Sequence, residues 1–324
     1  MRSLRTATLV FTLALASITP ACGDLSNEDL QFEAVLPDDN LAVALPSSSS
    51  EALNVTDTAS PTDTAGLIAL ELNAVAHGIV HRARTVASHR PALREKGKRV
   101  WGPFKVTGYA GYARLTMTTD STVTCDVADD PLAPGATGYR WVIDVSRESG
   151  GTFSTLTSGT IRGADFSHSC GTVTFDTTVS RAVGGTETDD DPTAVHATWT
   201  RSGEATNVVI TVDPSPSGIG PLVENTTYDF RGTGTRYGHF AFAVRYFDHG
   251  ALHVLDSLLR WGPGGRPWRA DSEIKLSNGT ALSHGVSCGP AFGDTTFLRP
   301  GVPPATPIDT SADASCSFDY GPAN

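Results

Sequence analysis

Apolar residues recur at three- and four-residue intervals along one stretch of the chain. Between Thr64 and Arg90 they are Ile68, Leu72, Val75, Ile79, Ala83 and Val86, the spacing of a single helix face. Gly78 weakens such a helix by about 1 kcal/mol relative to Ala, and Pro91 disfavours helical geometry at Arg90, which predicts the end there. A lone helix cannot bury its stripe, so a sheet must receive it. From Val100 onward the period changes to two, in short runs rich in Thr, Val and aromatics between Gly, Pro and Asp punctuation. These runs predict strands at Tyr112–Thr119, Thr122–Val127, Tyr139–Ser146, Phe153–Ile161, Thr172–Ser180, Val195–Arg201 and Asn207–Val212. Further strands are predicted at Thr226–Arg231, His239–Phe247, Leu252–Trp261, Trp268–Leu276 and Ala281–Val286.

Short connections such as Ser202-Gly203-Glu204 and Asp248-His249-Gly250 suit hairpins, so successive strands should pair antiparallel. Alternation places Tyr139, Trp141, Ile143 and Val145 on one face of their strand. It does the same for Phe240, Phe242, Val244 and Tyr246, and marks both sets for the core. The fold class is therefore mainly β: an antiparallel meander, as a half-barrel or wrapped sheet, with one N-terminal amphipathic helix packed on it. Residues 64–324 read as one β-rich domain that begins with the helix at 64–90. Residues 22–63, acidic and rich in Ser, Pro and Ala with no sustained apolar period, read as a flexible tether.

Composition agrees with an exported β-protein, with 32 Gly, 20 Pro and only two Met. Arg2 and Arg5 precede an apolar run from Thr6 to Ile18 that is too short to span a bilayer and suits a signal-peptide core. Removing residues 1–21 takes away two arginines and no acid, leaving a formal net charge of −13. Such an acidic chain is a poor partner for nucleic acid, and a poor one for anionic lipid through charge alone.

The residues Ile18-Thr19-Pro20-Ala21-Cys22-Gly23-Asp24 resemble the lipobox of bacterial lipoproteins. That resemblance implies cleavage before Cys22, lipidation of Cys22, and a membrane contact made through acyl chains. The family usually carries Leu three residues before the Cys, where this chain has Thr19. Ala14-Leu15-Ala16 offers a competing site for an ordinary signal peptidase, which would start the mature chain at Ser17. Cysteine parity favours lipidation, because using Cys22 leaves Cys125, Cys170, Cys288 and Cys316 to form two disulfides in an oxidising compartment. In Gram-negative lipoproteins an Asp directly after the lipidated Cys favours the inner membrane. Here Gly23 holds that place, so the resemblance implies the outer membrane.

Ser167-His168-Ser169-Cys170-Gly171 and Ser283-His284-Gly285-Val286-Ser287-Cys288-Gly289 echo each other. If they mark equivalent halves, Cys125 pairs with Cys170 and Cys288 with Cys316, although four cysteines allow three connectivities. Gly285-Val286-Ser287-Cys288-Gly289 matches the G-x-S-x-G pattern of nucleophile elbows, but no helical pattern follows it and no His lies downstream to act as the base. Its residues read as a disulfide half with turn glycines. His77 and His81 stand four apart, the spacing of a shared metal ion on a helix, without the Glu of an H-E-x-x-H motif and beside Arg82 and Arg84. They read as a solvated helix face, and His249 with His253 as a solvated hairpin. Glu187 and Asp189–Asp191 read as a charged hairpin tip rather than a Ca²⁺ loop. Gly232, Gly234 and Gly238 do not complete a dinucleotide fingerprint, and the N-x-[ST] triplets at Asn54, Asn225 and Asn278 carry little weight in a bacterial chain.

No catalytic residue, metal site or cofactor is expected from these motifs. The order of tether, helix and meander resembles the lipoprotein-localisation half-barrels in architecture over roughly residues 64–290, with no shared residue motif. The expected function is that of a lipid-anchored exported protein without enzymatic activity that binds an apolar ligand or a protein partner. A membrane-anchored hydrolase with a non-standard site is the alternative. Binding an apolar ligand requires a cavity between the helix around Leu72–Ile79 and the sheet.

Overall fold

Alternating strands joined by short loops give, in the computed structural model, one fourteen-stranded sheet. The structure describes residues 27–38, 43, 45–46, 61–105, 111–125, 136–189, 191–203, 205–216, 227–232, 237–248, 251–290, 297–302 and 316. The strands are β1 (Leu93–Glu95), β2 (Lys98–Lys105), β3 (Tyr112–Thr119), β4 (Thr137–Ser146), β5 (Ser154–Asp165), β6 (His168–Asp176) and β7 (Ala194–Ser202). They continue as β8 (Ala205–Val212), β9 (Thr227–Gly232), β10 (Gly238–Asp248), β11 (Ala251–Trp261), β12 (Trp268–Leu276), β13 (Ala281–Gly289) and β14 (Phe297–Val302). Spatial order equals chain order and every pairing is antiparallel, so the sheet is a pure meander. It is not closed: β1 and β14 end the order, and no pairing joins them among the described residues.

Among the described residues, three α-helices accompany the sheet: α1 (Asn27–Ala34), α2 (Pro61–Ala87) and α3 (Thr177–Ala182). The helix expected at 64–90 corresponds to α2, and its buried residues include Ile68, Leu72, Ile79, Val80, Ala83 and Val86. Val75, expected on the same stripe, is only partly buried.

The inward faces follow the period-two pattern. Tyr139, Trp141, Ile143 and Val145 are all buried, as are Phe240 and Phe242, while Val244 is half-buried. The side chain of Tyr246 lies outside the described residues. A feature invisible to periodicity is that four of the five tryptophans face a glycine directly across the sheet. Trp141 stands opposite Gly159, Trp199 opposite Gly171, Trp261 opposite Gly238 and Trp268 opposite Gly289. A Cβ at Gly171 would collide with the ring of Trp199, and one at Gly159 would come within 2.8 Å of Trp141 Nε1. The missing side chains make room for the indoles, which fill the core where glycine alone would leave the strand weak.

The structure departs from the sequence reading in several places. Within residues 22–63, read as a tether, α1 forms and Phe32, Val35, Leu36 and Val43 are buried. A helix of two turns leaves too short a period to register in a pattern search. The strand expected at Thr122–Val127 is absent over its described residues, 122–125. There the Asp120 carboxylate accepts from the Thr122 N–H at 2.9 Å and from its hydroxyl at 2.6 Å, a side-chain turn that competes with extended pairing. The strand expected to run to Ser180 stops at Asp176, whose carboxylate accepts from the N–H groups of Thr178 and Val179 and caps α3. Strands β1, β2 and β14 lie outside the strands that the sequence predicts.

Candidate functional site

Ion pairs fix α1 to the first hairpin. The Asp29 carboxylate, fully buried, accepts from Arg99 Nε and lies 2.8 Å from Arg94 Nη2. Glu28 accepts from Arg99 Nη2 at 2.7 Å and from the Gly97 N–H at 2.9 Å. Gly97 occupies the turn between β1 and β2 at a φ of 70°, a left-handed conformation that glycine adopts without strain. Arg99 also donates to the carbonyls of Glu95 and Lys98, and its guanidinium lies 5.4 Å from the centre of the Phe32 ring. The Gly97 backbone bond, then Arg99, hold the Glu28 carboxyl below its usual range, and Arg99 is raised because its two carboxylates outweigh its burial. The arrangement locks α1 onto the start of the sheet.

A second feature is an open groove along β10–β13, about 580 Å³ in volume, bordered by Phe242, Leu258, Asp256, Asp271, Glu273 and His284. Register puts Ala243, Asp256, Glu273 and His284 in one cross-strand row. Its acids are paired rather than convergent: Lys275 Nζ lies 2.7 Å from Asp256 and 2.9 Å from Glu273, and Asp271 accepts from Arg269 and Arg260. Burial alone would raise the Asp271 carboxyl, but the two arginines hold it below its usual value.

The residues singled out by sequence are placed as follows. Cys125 is bonded to Cys170 and Cys288 to Cys316. Arginines opposite the two strand cysteines repeat one contact: Arg162, facing Cys170, donates to the Val123 carbonyl at 3.0 Å, and Arg269, facing Cys288, donates to the Cys316 carbonyl at 3.4 Å. Ser287 lies inside β13, buried opposite Ala270, with a strand rather than an elbow around it. His77 and His81 are exposed on α2 with their rings stacked 5.9 Å apart. His253 lies in β11 and His249 outside the described residues. Glu187 accepts from Ser180 Oγ, Asp189 pairs with Arg181, and Asp191 accepts from the Thr188 N–H, so these carboxylates serve their own neighbours. Asp190 is outside the described residues. Gly232 ends β9 and Gly238 begins β10, and Asn278 turns β12 into β13 by accepting from the Thr280 N–H. Cys22, Gly234, Asn54 and Asn225 lie outside the described residues. Among the described residues no group of three or more His, Cys, Asp or Glu is placed to hold a metal ion.

Sequence reasoning missed one polar chain. Thr174 Oγ1 lies 3.0 Å from His196 Nδ1, and His196 Nε2 lies 3.3 Å from Asp213 Oδ2. Thr174 and His196 face each other on β6 and β7, and Asp213 directly follows β8, so only the register reveals them. They stand on an open sheet face where the neighbouring backbone N–H groups are engaged in the ladder, and His196 and Asp213 are 40% and 47% exposed.

A cavity lined by Arg82, Tyr112, Ile143, Val145, Leu156 and Val183 has a volume of about 10 Å³. That is room for one water molecule and far too little for an acyl chain. Comparison with known proteins finds no match for this chain among family models, curated proteins or solved structures.

Proposed function

We propose that this is an exported lipoprotein, anchored by acyl chains on Cys22 at the outer membrane, which acts without catalysis by presenting its sheet to a protein partner. One observation carries the reading: the other four cysteines pair among themselves, leaving Cys22 as the cysteine outside the disulfides. The signal-like segment before Cys22 supports it independently.

In this reading the meander wraps α2 as a half-barrel. Supporting it, α2 approaches β2 and β3 as well as β11 and β12, strands far apart in the order. At about 1.5 Å per residue, its 27 residues span roughly 40 Å, enough to cross some eight strands. The small cavity favours a protein partner over an enclosed apolar ligand, and the open groove on β10–β13 is the place for one. The alternative of an anchored hydrolase would have to use Thr174, His196 and Asp213, whose setting offers no free backbone donors for a developing oxyanion.

Intact-mass measurement of protein extracted from membranes tests the anchor. A mature chain starting at Cys22 and carrying acyl mass is expected, and Cys22→Ala should shift the protein to the soluble fraction. An unmodified Cys22 or a start at Ser17 would overturn the reading.

A further inference from the structure

We infer that the Lys96-Gly97-Lys98 turn is the membrane-facing end of the protein, held against the lipid phosphates by a tether of only a few residues. The inference rests on the acyl anchor at Cys22. Helix α1 begins at Asn27, five Cα steps beyond Cys22, and a chain of that length reaches at most roughly 18 Å. The next residue, Glu28, is bonded to the Gly97 N–H and to Arg99. The anchor and the turn therefore cannot separate while the buried pair of Asp29 and Arg99 persists.

The chemistry of this end suits a bilayer interface. The chain has four lysines, and two of them, Lys96 and Lys98, flank this turn in an otherwise acidic protein. Lys96 is exposed, and Lys98, 3.9 Å from Glu95, is half-exposed. Of the other acids beside them, Glu28 and Asp29 are engaged by Arg94 and Arg99, and Asp120 by Arg140 at 2.9 Å. Among the described residues few large apolar side chains are open to water, and two of them, Leu30 on α1 (49% exposed) and Leu93 on β1 (39%), belong to the same two elements. Long cationic side chains with leucines beside them match the boundary between headgroups and acyl chains. The acidic remainder of the chain then points away from the anionic surface.

Lysine acylation of the full lipidated protein in vesicles of equimolar phosphatidylcholine and phosphatidylglycerol tests this, with Lys275 on β12 as internal reference. On passing from the detergent-solubilised protein to these vesicles, modification of Lys96 and Lys98 should be slowed about fivefold relative to that of Lys275. Inserting a long Gly-Ser segment between Asp24 and Leu25 should abolish that protection while leaving the circular dichroism spectrum unchanged. Relative rates at these lysines that do not change between detergent and vesicles, in a protein that carries acyl mass and floats with the vesicles, would overturn the inference and leave the anchor standing. Protection that survives the insertion would also overturn it, because the short tether would then not be its cause. A protein without acyl mass that does not float would remove both.

Discussion

At the N-terminal end, Asp29 and Arg99 are withdrawn from water, with side-chain exposures of 0% and 4%, whereas on β10–β13 Asp256, Glu273 and Lys275 keep 42%, 33% and 30% of theirs. Both clusters join carboxylates to cations at hydrogen-bonding distance. In the first, each partner has lost its hydration and depends on the other, so removing one strands a buried charge. In the second, water screens the pair and replaces either partner at little cost. Similar residue types thus make an obligatory clamp at one place and a tolerant surface at the other.

Asp29→Ala should break this contrast most severely. It leaves Arg94 and Arg99 without their shared carboxylate and is expected to lower unfolding stability by about 3–5 kcal/mol in denaturant titration. A double replacement of Asp29 and Arg99 by apolar residues of similar size should recover much of that loss. If Asp29→Ala costs less than about 1 kcal/mol, the clamp is not holding α1.

Acid sharpens the comparison next. Glu28 and Asp271 both have folded values depressed below their ordinary 4.5 and 3.8. Groups shifted this way contribute stability that is present above those ordinary values and is lost as the pH falls through the lower, folded ones. Unfolding midpoints followed downward from neutral pH should therefore fall once the medium drops below that range. A Glu28→Gln variant should show a shallower fall, and an unchanged slope would contradict the role given to Glu28.

The smallest effect is expected from Lys275→Gln. Its ammonium is raised above its ordinary value by hydrogen bonds to Asp256 and Glu273, yet it and both partners remain partly open to water. The stability change should stay within about 1 kcal/mol and shrink further in high salt. A larger loss would mean that the outward face of β10–β13 is as dependent on its charges as the α1 clamp.

Much of the sheet was legible because each strand carries its own instruction. Tyr139, Trp141, Ile143 and Val145 alternate with polar residues, and alternation alone determines which face turns inward. The α2 helix was legible for the same reason, since Ile68, Leu72, Ile79 and Ala83 repeat within a few residues of one another. What escaped was short or non-local. Two turns of α1 give no measurable period, and nothing in Asp29 or Arg99 announces a partner seventy positions away. The His196 chain was hidden likewise, because Thr174 and Asp213 become its neighbours only once three strands are in register.

By itself, the sequence determined the β-rich class, the long helix, the antiparallel order and the parity that sets Cys22 apart, all properties fixed by local periodicity or by counting. Only the tertiary structure decided which cysteines meet, which glycines lie opposite which tryptophans, and where α1 is clamped. Those depend on strand register and on the burial of charge, and both arise from contacts between residues distant in the chain.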